Sequence, residues 1–121
     1  MSIAGNLAEI KERLSGREVK LIAVSKSVGM PEIEEAFKQG VTEFGENRIQ
    51  DALKKQEELP PYMENDLNWH FIGHLQSNKA RKAAGRFALI HSLDSKKLAL
   101  ALSEAAVKQG LLQAVLLQVK I

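Results

Sequence analysis

The sequence contains no cysteine, which excludes a disulfide framework and a thiolate metal site and fits the reducing cytoplasmic location that we predict. Neither sign of charge predominates, since 17 Lys and Arg are set against 15 Asp and Glu, so the composition predicts neither a nucleic-acid partner nor a membrane surface. No apolar run approaches the roughly 20 residues of a membrane-spanning helix. The beginning "MSIAGNLAEIKERL" carries acidic residues in a helical pattern, so we predict no export signal.

The hydrophobic share of 45% and the charged share of 26% predict one globular domain over residues 1–121. Apolar spacing predicts a first helix that ends near Gly16. Strands are predicted over residues 19–26, 41–47, 68–73, 87–93 and 114–121. The helices between them begin near Pro31, Arg48, Ser77 and Ser95, and Asp94 is predicted to cap the last one.

A strand followed by a helix, repeated at intervals of roughly 20 to 25 residues, predicts parallel βαβ units and the α/β class. Two architectures are compatible with this pattern: an open doubly wound sheet, and a (β/α)₈ barrel, which needs about 200 residues or more. The last strand, residues 114–121, has no helix after it to cover its edge. We therefore expect this sequence to be a piece of a longer one, and the isolated chain to self-associate through the edges of its first and last strands.

Polar residues collect at the carboxyl ends of the predicted strands, where ligands bind in both architectures. Lys26 ends the first of these strands, "VKLIAVSK", on the same face as Ile22 and Val24. If that face lines a barrel interior, the amine is partly desolvated and becomes a nucleophile for an aldehyde. The alternative is that the lysine reaches out to water along its own stem.

The next two strand ends carry "FGEN" and "WHFIGHLQSNK". In the first, Gly45 suggests a close approach of a ligand or backbone, Glu46 can cap, pair or catalyse, and Asn47 either binds a ligand heteroatom or turns the chain. In the second, His70 and His74 share a face but lack a third metal ligand nearby. We therefore predict no metal and a hydrogen-bonded core position for His70.

The segment "SNKARKAAGR" carries four basic residues and no aromatic residue between them. A solvated helix face is the favoured interpretation, with an anion at the helix start near Ser77 to Lys79 as a further possibility. A nucleic-acid module would want a larger basic surface and stacking rings. That module stays as an alternative function, and its residues would be Lys79, Arg81, Lys82 and Arg86.

Taken together, "AVSK", "FGEN", "WHFIGHLQSNK" and "HSLDS" resemble the motifs of the pyridoxal-phosphate homeostasis protein family, in their order and spacing. Proteins of this family are similar to the N-terminal barrel of bacterial alanine racemase. The resemblance extends from Val19 to the end of the chain. It covers about the first half to three-fifths of a family member, so it implies an incomplete TIM-type barrel with about five of the eight strands.

The resemblance implies a pyridoxal 5′-phosphate-binding protein in vitamin B6 and amino-acid homeostasis, with no established catalytic residue. Lys26 matches the lysine that holds the cofactor as a Schiff base, and Asn47 matches the asparagine beside its ring. Gly73, His74 and Ser92 match positions near the pocket. The implied partners are pyridoxal phosphate and the apoenzymes that depend on it, with no nucleic acid and no membrane.

The sequence departs from the family in one respect. The family's phosphate-binding serine and glycine-rich turns, and the arginine that faces the pyridine nitrogen, belong to later strands that this sequence does not contain. The alternative within the same chemistry is a pyridoxal-phosphate-dependent amino-acid racemase. That reaction needs a second base across the ring from the lysine, and the only tyrosine, Tyr62, lies in the loop "PPYMEND".

Overall fold

A computed structural model of the chain describes residues 2–121. Helices and strands alternate along the chain, as the sequence pattern predicts. The helices are α1 (Ile3–Leu14), α2 (Met30–Lys38), α3 (Ile49–Glu58), α4 (Ala80–Ala83), which follows a 3₁₀ turn at Ser77–Lys79, and α5 (Lys96–Gln109). The strands are β1 (Ala23–Val24), β2 (Glu43–Glu46), β3 (Asn68–Phe71), β4 (Leu89–Leu93) and β5 (Val115–Leu117).

The five strands form one parallel sheet in the order β1-β2-β3-β4-β5. A doubly wound sheet reverses its strand order at a switch point, whereas a barrel adds each strand beside the one before it. The sequential order therefore confirms the prediction of an incomplete TIM-type barrel and excludes the doubly wound alternative. Because parallel crossovers are right-handed, this order also places the connecting helices on one face of the sheet.

The hydrophobic core fills the space between that face and the helices. Phe44, Phe71 and Ile90 contribute from the sheet, while Ile33 and Leu98 contribute from α2 and α5. Each of these side chains is at most 1% exposed, and burying each one stabilises the fold by about 1.5–3 kcal/mol.

The opposite face of the sheet, here called the inner face, carries the alternate residues of each strand. A Cβ built on Gly45 would lie 3.2 Å from both Ile22 and Ile72, so these residues share that face. Val24 and Ile72 remain 52% and 36% exposed on this face. The inner face is therefore partly open where it borders the carboxyl ends of β1 and β3.

Several predicted boundaries are wrong. The first and last strands are much shorter than residues 19–26 and 114–121, because each lies at an edge of the sheet and can pair on only one side. The basic helix begins at Ser77, as predicted, and consists of one 3₁₀ turn followed by four α-helical residues. Among residues 2–121, we find no helix with the length and apolar character needed to cross a bilayer.

The prediction that Asp94 caps the last helix is also wrong. Ser95 is the N-cap of α5, and its hydroxyl accepts a hydrogen bond from the Leu98 amide at 3.1 Å. Both residue types favour this position, so only the backbone decides which of two neighbours takes it. The Asp94 carboxylate instead faces His74 across the loop that follows β3.

Candidate functional site at the carboxyl edge of the sheet

The five predicted site residues lie along one edge of the sheet. Lys26 follows β1, Asn47 directly follows β2, Gly73 and His74 follow β3, and Ser92 lies near the end of β4. Because all four strands are parallel, these positions belong to the same carboxyl edge. The polar residues that the sequence places at separate strand ends are thus brought into one row.

Lys26 lies in a hydrogen-bonded turn after β1. The Val28 amide donates to the Ser25 carbonyl oxygen at 3.3 Å, and Ser27 between them has a φ of 65°. The side chain of Lys26 is exposed. Within the described residues, this exposure corresponds to the alternative in which the lysine reaches toward water.

Asn47 and Gly73 contact each other where β2 and β3 end. A Cβ built on Gly73 would lie 2.8 Å from the Asn47 Cα and closer still to the Asn47 carbonyl oxygen. Real Cβ atoms do not approach backbone so closely, so only glycine allows this approach. Gly73 therefore sets the position of Asn47, which is half-buried and lines a cavity of about 300 Å³ together with His74.

His74 and Ser92 differ in their exposure. The His74 side chain is 71% exposed, and its Nδ1 lies 3.7 Å from the Asp94 carboxylate, so this contact contributes little stability. Ser92 is buried, and its hydroxyl has no hydrogen-bond partner within the part of the chain that the structure describes. A buried hydroxyl without a partner is unusual, so Ser92 retains hydrogen-bonding capacity at this edge.

A buried ion pair lies under the Lys26 turn, on the helix side of the sheet. Lys55 on α3 places its Nζ 2.8 Å from a carboxylate oxygen of Glu46 and 2.6 Å from the Ser25 carbonyl oxygen. The Ser25 hydroxyl donates to the same Glu46 oxygen. Of the roles left open for Glu46, pairing is the one observed.

Lys55 is not among the residues that the sequence motifs predict for the site. A signal was present, because Lys55 lies three residues after the fully buried Ala52 on α3, which places a charge close to the apolar face of an amphipathic helix. A charged residue at that position needs a buried partner of opposite sign, and Glu46 supplies it.

A second polar network, formed by Glu43, His70 and His91, crosses the inner face at the level of the strand centres. Glu43 Oε1 lies 3.0 Å from His70 Nε2, and His70 Nδ1 lies 2.9 Å from His91 Nε2. A carboxylate only accepts, so His70 donates to Glu43 from Nε2, while its Nδ1 makes the contact with His91. The prediction of a hydrogen-bonded core position for His70 is confirmed.

The pKa values of Glu43 and His91, at the two ends of this network, are both shifted. Burial alone would raise the pKa of Glu43, but hydrogen bonds from Asn68, His70 and Lys20 outweigh burial and lower the pKa from 4.5 to about 2. Burial, followed by repulsion from His70, lowers the pKa of His91. At neutral pH this network therefore contains an ionised Glu43 carboxylate and a neutral His91 imidazole.

Two other candidates lie away from this edge. The loop of Tyr62 leads into β3 and so lies toward the amino ends of the strands, where the Tyr62 hydroxyl donates to Glu34 at 3.2 Å. Arg81, Lys82 and Arg86 are exposed around α4, as the favoured interpretation of a solvated helix face predicts.

Comparison with known proteins identifies relatives over the whole chain. Residues 1–121 match the family model described as alanine racemase, N-terminal domain. The pyridoxal phosphate homeostasis protein of Synechocystis is 48% identical over 104 residues, which cover 82% of this chain and 47% of that protein. The protein of the same name from Aquifex aeolicus is 44% identical over 102 residues, which cover 84% of this chain and 43% of that protein. This chain thus spans about half the length of the curated relatives it matches.

Solved structures give the same result. PipY of Synechococcus elongatus with PLP bound superposes with a TM-score of 0.89 at 46% sequence identity. That match covers 99% of this chain and 55% of PipY. The structure of PipY without PLP superposes with a TM-score of 0.90. The five strands described above therefore correspond to part of a TIM-type barrel.

Proposed function

We propose, from the premise that this chain belongs to the alanine racemase N-terminal domain family and within it to the pyridoxal phosphate homeostasis proteins, that it binds pyridoxal 5′-phosphate through a Schiff base on Lys26. The observation that carries this proposal is the exposed primary amine of Lys26 at the same strand edge as the Asn47 amide. A solved relative with PLP bound supports the choice of ligand.

The residues at this edge fit the cofactor chemically. When bound, pyridoxal phosphate supplies an aldehyde carbon that condenses with a primary amine. Lys26 is accessible to such a carbon, and it forms neither a hydrogen bond nor an ion pair within the described residues. Val24 and Ile72 expose apolar surface on the adjoining inner face, which suits one face of an aromatic ring.

The other residues of the edge bind and orient in this proposal. Asn47 can donate to or accept from a polar substituent of the ring, and Gly73 keeps that asparagine in place. Ser92 offers a hydroxyl whose hydrogen-bonding capacity is unused by the described residues. His74 lines the adjoining cavity with Asn47 and can hydrogen-bond a ligand from its exposed ring.

The attachment site is tested by adding pyridoxal phosphate to the chain and recording its absorption spectrum. We expect a band of the lysine-bound cofactor in the wild type and in the control Lys54→Ala, which alters an exposed lysine on α3. We expect no such band in Lys26→Ala. Borohydride reduction followed by peptide mass analysis should locate the modification on Lys26. A modified peptide that lacks this residue would contradict the assignment.

The wider role follows from the same chemistry, because a Schiff base forms reversibly and can release its aldehyde. We propose that the protein buffers pyridoxal phosphate for the apoenzymes that depend on it. The test is to mix the loaded protein with an apo-aminotransferase and follow the recovery of transaminase activity. The control contains an equal amount of free cofactor and the Lys26→Ala protein. If the loaded protein restores activity no faster than this control, the result argues against a carrier role.

A further inference from the structure

The turn that carries Lys26 is anchored through Ser25, whose carbonyl oxygen accepts two hydrogen bonds. This oxygen accepts from the Val28 amide at 3.3 Å and from Lys55 Nζ at 2.6 Å. Ser25 itself is only 3% exposed, and its amide donates to the Gly45 carbonyl oxygen at 3.0 Å. The residue just before Lys26 is therefore held by Val28 of its own turn, by β2 and by α3.

The contact from α3 is made by a Lys55 ammonium that is mostly buried and paired with Glu46. The Lys55 side chain is 13% exposed, and the Glu46 carboxylate is completely buried 2.8 Å away. Two charges removed from water keep each other as partners, because the loss of either would leave the other buried without an opposite charge. The Lys55 ammonium is thus confined to the place where it also reaches the Ser25 carbonyl oxygen.

The backbone of the turn needs such support. Ser27 has a φ of 65°, in the left-handed region where residues other than glycine are disfavoured. Residues persist in this conformation only where their surroundings impose it, and they concentrate at functional sites. Two independent features, the buried contact from Lys55 and the unfavourable φ of Ser27, therefore converge on the segment that presents Lys26.

We infer that Lys55, fixed by Glu46, is a positioning residue that holds the Lys26 turn so that its amine stays at the carboxyl edge of the sheet. This inference rests on the proposed function of Lys26. Lys55 does not touch the cofactor in this role. It limits the orientations that Lys26 can adopt, which raises the effective concentration of the amine at the edge.

The first experiment measures the apparent Kd for pyridoxal phosphate from the absorption band of the lysine-bound cofactor. In Lys55→Met we expect the Kd to rise about tenfold or more, because loss of orientation weakens an intramolecular arrangement. Lys54→Met is the matched control, since it removes the neighbouring exposed lysine of the same helix, and it should bind as the wild type does. Lys55→Arg keeps a charged donor and should recover part of the affinity.

A purely structural effect is separated by the double variant Glu46→Gln/Lys55→Met. This variant removes both buried charges and so avoids the uncompensated carboxylate of the single variant, but it still lacks the donor to Ser25. If the double variant unfolds at the urea concentration of the wild type and still binds about tenfold more weakly, the positioning role is supported. If it binds as tightly as the wild type, the role is refuted.

A measurement without ligand tests the same inference from the backbone. NMR order parameters for residues 26–28 should lie near the rigid value of about 0.85 in the wild type and fall toward about 0.6 in Lys55→Met and in the double variant. Unchanged order parameters would refute the inference even if Lys26 binds the cofactor. If Lys26→Ala keeps the absorption band, the proposed function fails instead, and the order parameters alone still decide whether Lys55 holds the turn.

Discussion

Glu43 should make this protein lose stability in acid in a way that can be isolated by one substitution. Its carboxylate accepts from Asn68 at 2.6 Å and pairs with His70 at 3.0 Å and Lys20 at 3.3 Å. A pKa lowered from 4.5 to about 2 in the folded state means that folding favours the ionised form by about 3 kcal/mol.

The sign of the effect follows from linkage. Below pH 4.5 the unfolded chain binds a proton at Glu43 while the folded chain does not, so the free energy of unfolding falls as the pH falls toward the folded pKa of about 2. The full contribution is present above pH 4.5, and about 2 kcal/mol of it is lost by pH 3. The lowered pKa of His91 acts in the same direction but at higher pH, below its ordinary value of 6.5.

The assay is urea unfolding followed by the fluorescence of Trp69, the only tryptophan, which is buried in the core. The free energy of unfolding is measured at pH 7, 5, 4 and 3 for the wild type and for Glu43→Gln, whose amide does not titrate. The difference between the two should shrink by about 2 kcal/mol from pH 7 to pH 3. A difference that stays constant over this range would refute the argument that hydrogen bonds keep Glu43 ionised. Glu57→Gln, at an exposed position on α3, provides the control.

Three further predictions concern the fold. Gly73→Ala should lower the free energy of unfolding by about 1–3 kcal/mol in urea titrations, because its methyl group would overlap the Asn47 backbone; a neutral result would mean that this contact is loose. Because Ser95 is the N-cap of α5, Ser95→Ala should lower the free energy of unfolding by about 1 kcal/mol in the same assay, whereas Asp94→Ala should lower it clearly less. Equal losses would contradict the observed cap. The chain should self-associate in light scattering through its strand edges, and Leu117→Lys, at a 75% exposed position on β5, should reduce the apparent mass.

The order of elements and the place of the site were predictable from the sequence because they depend on local signals. Alternating apolar segments and breakers such as Gly16, Gly40 and Pro31 gave the sequence of strands and helices. A parallel arrangement then places every strand end at one edge, so Lys26 and Asn47 were expected side by side. The order of the elements and the alignment of the strand ends do not depend on which distant residues contact each other.

Features that depend on distant partners were decided only by the tertiary structure. Lys55 reaches a carbonyl oxygen 30 residues earlier in the chain, and Glu43 meets a histidine 27 residues later. Such contacts arise from strand register and helix docking, which a local sequence pattern does not determine.

The exposure of Lys26 is of the same kind, because it depends on what the rest of the molecule places over the end of β1. The sequence by itself thus determined which residues stand at the edge of the sheet, since strand direction and side-chain alternation are local properties of the backbone. The tertiary structure alone decided which of them are buried, paired or open to a ligand, since burial is a property of all the segments that surround a residue.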